Sequence, residues 1–361
     1  MIKIPYLPTK FYNFQLYFIH AIQSEEKAMS SSSGHIIPAT ALVGITFMMC
    51  NTGALAISDI ANKILRGDLS SGMIVFLYKF GLLLITLPWV LSQGTKHIKT
   101  KRFHFHLLRS FFGTFGAISF AQGLKYVTMA DAAAFENLQY IIIVLLSILF
   151  FNDKLDSTKI MAIVVGFLGV SIIINPGFIK NVICGCEHDI AGATDYAKYS
   201  YTFLAICCWS VNSLLVKILG NTENNRTQMF YLLLFSSIWA FPAAFIKWNT
   251  VEVVGQNLPL MPEFFDPGFY KLTTQHIMLL SLMGVCYFIH GIAYFNALKH
   301  DLSIVIPFRY TKLVFSGLLG YAIFGEEIDR YGLMGYLLVM SSSFMLIRYE
   351  IRKRKKAKAT G

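Results

Sequence analysis

Met129-Ala-Asp-Ala-Ala-Ala-Phe-Glu-Asn-Leu-Gln-Tyr140 runs directly into Ile141-Ile-Ile-Val-Leu-Leu-Ser-Ile-Leu-Phe-Phe151 and then into Asn152-Asp-Lys-Leu155. The apolar part reads as a membrane helix. At its mouth Glu136, Asn137, Gln139 and Tyr140 place a carboxylate, two amides and a phenol. Lipid makes such groups costly unless they face protein or a water-filled path. The stretch therefore predicts a membrane helix with a polar, inward-facing turn.

The same composition extends outward from it. Of 361 residues, 55% are hydrophobic and only 14% charged, and the mean hydropathy is +0.56. The apolar residues come in blocks of about 20, the length that crosses a hydrocarbon core of ~30 Å as a helix. Such blocks lie near residues 38–62, 71–92, 107–127, 131–151, 159–176, 201–219, 228–247, 276–297, 303–324 and 331–348. The predicted fold class is an all-α polytopic membrane protein with ten transmembrane helices. The expected partners are the lipid bilayer and a small-molecule substrate.

Charge sets the expected orientation. The net charge of +11 does not point to nucleic acid, because the basic residues sit in short connections and in the tail from Arg348 to Lys358. Lys96, Lys99, Lys101, Arg102, Lys154, Lys159, Lys217, Arg226, Lys299 and that tail fall on one side if the spans alternate. Glu187, Asp189, Asp195, Glu252, Glu263 and Asp266 fall on the other. The positive-inside rule then places both termini in the cytoplasm, with the protein in a cell (inner) membrane. Residues 1–37 read as a disordered cytoplasmic tail, in which the aromatic run Phe11–Ile22 is too short to span; Met29 offers an alternative start of translation. Residues 177–198 read as an external loop and 349–361 as a basic cytoplasmic tail. Cys184, Cys186 and His188 make only a weak metal pattern, read as ordinary loop residues.

An internal repeat is visible within the chain. Gly123-Leu-Lys125, a span, then Phe151-Asn-Asp-Lys-Leu-Asp156 and another span are echoed by Ala297-Leu-Lys299, a span, Phe324-Gly-Glu-Glu-Ile-Asp329 and another span. Ala56–Leu65 likewise lies under Ser210–Leu219. Residues 38–176 and 199–348 thus read as two five-helix repeats. An odd number of spans per repeat inverts the second copy, an arrangement suited to opening a central site alternately to each face.

These residues resemble the drug/metabolite transporter superfamily, specifically the ten-helix carriers with two EamA-type repeats. The resemblance rests on Leu107-Leu-Arg109, Gly123–Asp131, Met161–Val170 ending at Asn175-Pro-Gly177, Ile306–Tyr310 and Gly320–Glu326. Ser58-Asp59 and Lys63-Ile-Leu65, with Arg309-Tyr310, are similar to the S-adenosylmethionine uptake carriers of intracellular bacteria. The resemblance implies a secondary transporter of an amino acid or S-adenosylmethionine-like solute. The chain departs from the family at Glu136, near Tyr140 and at Asp153.

Glu136, Gln139 and Tyr140 stand at i, i+3 and i+4 and so share a face of the fourth span. Arg309 and Tyr310 take the equivalent place in the ninth. Inverted symmetry is expected to bring Glu136 and Arg309 together, either to bind substrate and a coupling proton in turn or as a static pair. Asp59 either pairs locally with Lys63 or, as the family likeness implies, contributes to substrate binding. His290 stands alone in the eighth span, as a proton relay or a packing histidine. Trp209 and Asn212 share a face of the sixth span and are candidate contacts for an aromatic or ribosyl group. Arg109 reads as a topology anchor. Gly113 with Ala117, Gly166 with Gly169, Ser316 with Gly320, and Gly332 with Gly335 read as close helix contacts.

No Gly-rich phosphate loop, metal-ligand cluster or nucleophile elbow occurs, so neither a cofactor nor enzymatic activity is expected. Transport would then run on a substrate gradient, proton coupling or exchange. A membrane channel and a non-transporting membrane receptor remain the rival readings. Monomer and homodimer are both open.

Overall fold

The first long helix, α1 (Ala39–Leu65), reverses the pattern of a soluble protein. Asn51, Thr52, Ser58, Asp59 and Asn62 are buried along one face, while Met49, Ile57 and Ile64 are about 40% exposed on the other. Polar groups inside and large apolar groups outside are what a helix shows when its solvent is lipid. The computed structural model describes residues 39–91, 100, 102–151, 156–174, 193–220, 225–248, 251–253, 256–258, 262–264, 272–297, 305–327 and 330–359. The expected N-terminal tail, the Asn152–Leu155 turn, Asn175-Pro-Gly177 and the loop with Cys184, Cys186 and His188 lie outside these residues.

The helices that follow are α2 (Ser71–Leu91), α3 (Phe103–Gly123), α4 (Met129–Asn137), α5 (Gln139–Phe151), α6 (Ser157–Ile174), α7 (Ala193–Gly220), α8 (Asn225–Ala244), α9 (Thr274–Ala297), α10 (Thr311–Phe324) and α11 (Arg330–Ala359). Eight stretches among the described residues are long and apolar enough to cross a membrane. The chain is a multi-pass membrane protein. Two of the predicted spans do not meet that measure. In α3, His104, His106, Arg109 and Gln122 dilute the hydropathy, and the ninth span is divided between a 3-10 turn, Ile306–Tyr310, and α10, which has only 14 residues.

Boundaries also shift. The last helix continues through Ala359 across the segment expected as a tail, and α7 begins at Ala193, inside the expected external loop. The connection after α8 carries two short antiparallel pairs, Ile246–Trp248 with Pro262–Phe264 and Val251–Val253 with Gln256–Leu258.

The predicted fourth span is interrupted too. α4 starts at a Thr128 cap, whose hydroxyl accepts from Asp131 N, and closes where Leu138 N donates to Phe135 O at 2.9 Å, a three-residue turn. α5 resumes at once, so one tightened turn lies beside Glu136.

Packing places these elements around an interior. α1 lies against α9 and α10; α3 against α7 and α8; α2 against α8 and α9; α5 against α7; α6 against α11; α4 against α10. Small residues permit close approaches, as expected for Gly166, Gly169 and Gly335. A Cβ on Gly169 would stand 2.9 Å from Gly335 O, and one on Gly335 would stand 2.7 Å from Gly169 O. Ser342 Oγ ties the same pair by donating to Ala162 O at 2.6 Å.

Candidate functional site

Three ionisable side chains from three helices meet inside the bundle. Lys312, the second residue of α10, donates to Glu136 Oε1 of α4 at 2.5 Å and lies 2.7 Å from Asp59 Oδ2 of α1. Their side chains are 10%, 15% and 7% exposed. Asp59 lies about two turns, ~9 Å, from the C-terminal end of α1. The Lys312 ammonium also stands over the Phe120 ring of α3 at 5.9 Å, and Phe120 packs against Trp209 of α7 with ring centres 5.0 Å apart. With all three groups ionised the cluster carries one negative charge in excess.

A second group adjoins the first. The Arg309 guanidinium lies over Tyr140 at 5.2 Å and near Tyr294 at 5.9 Å. Among the described residues Arg309 forms no ion pair. Tyr294 stacks on His290, whose Nδ1 lies 2.7 Å from Asn51 Nδ2. Asn51 Nδ2 also donates to His290 O at 3.1 Å. An amide nitrogen only donates, so His290 Nδ1 accepts and the neutral ring carries its proton on Nε2. Thr52 and Thr311 hydroxyls, 2.8 Å apart, close α1 onto α10 between these groups.

Several expectations are corrected by this geometry. Glu136 pairs with Lys312 and not with Arg309, which stacks on aromatic rings instead. Asp59 does not pair with Lys63 on its own helix; it reaches Lys312, while Lys63 meets Glu326 and donates to Val127 O at 2.7 Å. Glu136, Gln139 and Tyr140 do not act on one target. Gln139 turns to α7, donating to Ser213 Oγ at 2.9 Å and Trp209 O at 3.1 Å.

Trp209 and Asn212 are brought together against α3. A Cβ on Gly116 would meet the indole at 2.7 Å, and one on Gly113 would meet Asn212 Oδ1 at 3.7 Å. Tyr310 is buried at the end of the 3-10 turn. Arg109, read as an interfacial anchor, is instead buried and donates to Gln228.

Lys312, Asn51 and Thr52 were not foreseen. The signal for Lys312 was present, since a second cation three residues beyond Arg309 in an apolar span is as costly as the first. Asn51 and Thr52 are ordinary interhelical residues in sequence.

Comparison with known proteins fits this architecture. Residues 42–175 match the EamA-like transporter family. The chain is 23% identical over 319 residues to an S-adenosylmethionine uptake transporter of Rickettsia bellii, covering 87% of this chain and 96% of that protein. It is 24% identical over 335 residues to a riboflavin transporter of Rhizobium johnstonii, covering 91% and 99%. A solved crystal structure matches with a TM-score of 0.50 at 14% identity, covering 85% of this chain and 96% of the other.

Proposed function

We propose that this chain, whose residues 42–175 form an EamA-like transporter domain, is a secondary carrier for a small organic metabolite. It moves its substrate by alternating access around the Asp59–Lys312–Glu136 cluster. The observation that carries this reading is the charge of that cluster. Two carboxylates share one ammonium in a bundle that faces lipid, and an uncompensated buried charge is costly. A proton or the cationic centre of a substrate would neutralise it, and either gives the site a reason to change occupancy.

Aromatic side chains border the charges: Phe120, Trp209, Tyr140 and Tyr294. Arg309 supplies a cation for a substrate carboxylate. An amphipathic solute with a cationic centre, a carboxylate and a flat ring meets all three features. S-adenosylmethionine has that chemistry, and a protein named as its uptake transporter is among the relatives; an amino acid has the two charges. Riboflavin, named for other relatives, has the ring without the cation.

Alternating access draws support from the repeat. The register that lays Ala56–Leu65 under Ser210–Leu219 also lays Ser71, the first residue of α2, under Asn225, the first of α8, and Pro88 under Pro242. The two three-residue turns, at Leu138 and at Ile306–Tyr310, fall close to one another in the fourth and ninth spans, since the register that lays Phe151 under Phe324 lays Leu138 under Thr311, the residue after the second turn. Exchanging halves converts the α1·α9 packing into α7·α3, α1·α10 into α7·α5, and α3·α8 into α9·α2. Ten spans in two inverted sets, with both termini cytoplasmic, accommodate these relations.

The test is uptake of radiolabelled S-adenosylmethionine and amino acids into proteoliposomes. A carrier saturates and is accelerated by preloaded unlabelled substrate; a pore or a receptor shows neither. Asp59→Asn and Glu136→Gln are each expected to lower uptake of a cationic substrate at least about tenfold while inserting normally. Wild-type rates in the Asp59→Asn/Glu136→Gln double variant would remove the cluster from the mechanism.

A further inference from the structure

A third carboxylate lies inside the bundle, in the first turn of α4, and its described partners are all neutral. Asp131 is 8% exposed. Thr128-Met-Ala-Asp131 spells a capping box, and Thr128 Oγ1 accepts from Asp131 N at 3.1 Å. The carboxylate does more than a cap needs. Tyr336 of α11 donates its hydroxyl to Oδ1 at 2.8 Å, and Tyr199 of α7 donates to Oδ2 at 3.1 Å. Phe135, one turn along α4, stacks on the Tyr199 ring with centres 5.2 Å apart and holds that phenol in place.

No cation joins this arrangement. Among the described residues the ion pairs join Lys63 with Glu326, His276 with Asp68, and Lys312 with Asp59 and Glu136, and none involves Asp131. The elements packed against α4 are α5, α7, α10 and α11. From α7 and α11 come the two phenols. From α10 comes Lys312, which is taken by Glu136 five residues farther along α4. Glu326, just after α10, accepts Met129 N but is paired with Lys63. Tyr140 of α5 lies under Arg309. Glu326 and Asp131 thus meet the same end of α4, one neutralised by an ammonium and the other held by hydroxyls alone.

A carboxylate inside a membrane protein is costly without a counter-charge, and binding a proton removes that cost. Both phenols come from the second half of the chain and Asp131 from the first. Ionised, the carboxylate takes two charge-assisted hydrogen bonds, about twice as strong as neutral ones, and fastens α4 to α7 and α11. Protonated, it keeps only neutral bonds to the same hydroxyls.

We propose that Asp131 takes up the coupling proton of the carrier, its ionised form locking α4 onto Tyr199 and Tyr336 and its protonated form releasing that seam. The inference rests on the carrier reading above. It assigns the proton to a residue outside the Asp59–Lys312–Glu136 cluster, which is left to the substrate. The proton comes from water on one face and returns to water on the other, and no other bond is made or broken.

Two measurements test it. Infrared difference spectra of the purified full chain, acid minus alkaline, are expected to contain a protonated-carboxyl band that is absent from Asp131→Asn. Tyr336→Phe, which keeps the carboxyl and removes one donor, should shift that band. Proteoliposomes given radiolabelled S-adenosylmethionine or amino acids then compare uptake driven by a proton gradient with counterflow at equal pH on both faces. Asp131→Asn is expected to lower the gradient-driven rate at least about tenfold while counterflow persists, because exchange needs no net movement of protons.

An undiminished band in Asp131→Asn, a wild-type gradient-driven rate in that variant, or an equal loss of counterflow overturns the proposal. So does a wild-type protein that shows counterflow but no response to a proton gradient. Where Asp131→Asn does not fold, Tyr336→Phe decides, and an unshifted band with a wild-type gradient-driven rate overturns the proposal. Absence of both uptake and counterflow in the wild type would remove the carrier reading instead, and the proton on Asp131 would then stand or fall by the infrared band.

Discussion

Lys312 holds the acidic cluster together, because among the described residues it is the one cation paired with both Asp59 and Glu136. Replacing it with Met would leave two carboxylates buried without a partner. Breaking a buried ion pair in this way costs about 3–5 kcal/mol. Lys312→Met is therefore expected to lower the unfolding midpoint more than Glu136→Gln, which leaves the Lys312–Asp59 pair intact. Adding Asp59→Asn and Glu136→Gln to Lys312→Met should recover most of the loss, as thermal unfolding in detergent would show. A single Lys312→Met variant as stable as wild type would mean the carboxylates are already protonated. Arg309 poses a different problem. Its planar group lies over Tyr140 and near Tyr294, so Arg309→Lys keeps the charge and loses the stacking. That variant should raise KM for a ring-bearing substrate by a few-fold while leaving insertion unchanged.

Among the elements, the α6·α11 pair shows how tightly the bundle is built. Gly169 and Gly335 bring the two backbones so close that an added methyl on either lies within 3 Å of the other's carbonyl oxygen. Gly169→Val is expected to destabilise the protein by about 1–3 kcal/mol through forced separation of these helices. Gly291 of α9 is the control, since a Cβ there meets nothing within 4 Å. Gly291→Ala should be neutral or stabilising by up to about 1 kcal/mol from helix propensity alone. Chemical denaturation of the two variants separates packing from backbone entropy. The tightened turns at Leu138 and Ile306–Tyr310 work at the same scale. Mid-helix three-residue turns are poorer in hydrogen bonding and often mark hinges, and these two lie next to Glu136 and Arg309.

Across the whole molecule, one cluster fastens an end of the bundle. Lys63 at the end of α1 meets Glu326 just after α10 and donates to Val127 O; Glu326 Oε2 in turn accepts Met129 N at the start of α4 at 2.7 Å. Three helices central to the site are tied at that end by one carboxylate. In an alternating-access carrier, Glu326→Gln would weaken the tie and shift the population toward opening there. With the native cysteines replaced, Gly53→Cys on α1 is a reporter, its site being in ordinary contact with Phe315. A membrane-impermeant thiol reagent should label it faster by several-fold in the Glu326→Gln background. An unchanged labelling rate would show that this cluster does not gate the site.

Local chemistry determined much of this protein from sequence alone. Hydropathy acts over windows of about 20 residues, so the polytopic class and the presence of Asp59, Glu136, His290 and Arg309 inside apolar segments were legible without coordinates. The expected repeat, too, was read from the order of motifs alone. What it did not carry was choice of partner. Glu136 had two cations within three residues on the ninth span, and Asp59 had a lysine on its own helix. Each paired instead with Lys312. Which cation faces which carboxylate depends on helix rotation, and each residue of a three-residue turn rotates the chain about 20° further than an α-helical one. The five residues of Ile306–Tyr310 accumulate roughly a quarter turn relative to an α-helix, so the faces that Arg309 and Lys312 present cannot be read from a regular helical wheel over the span. That rotation is fixed by packing across α1, α4, α9 and α10, so only the tertiary structure could decide it.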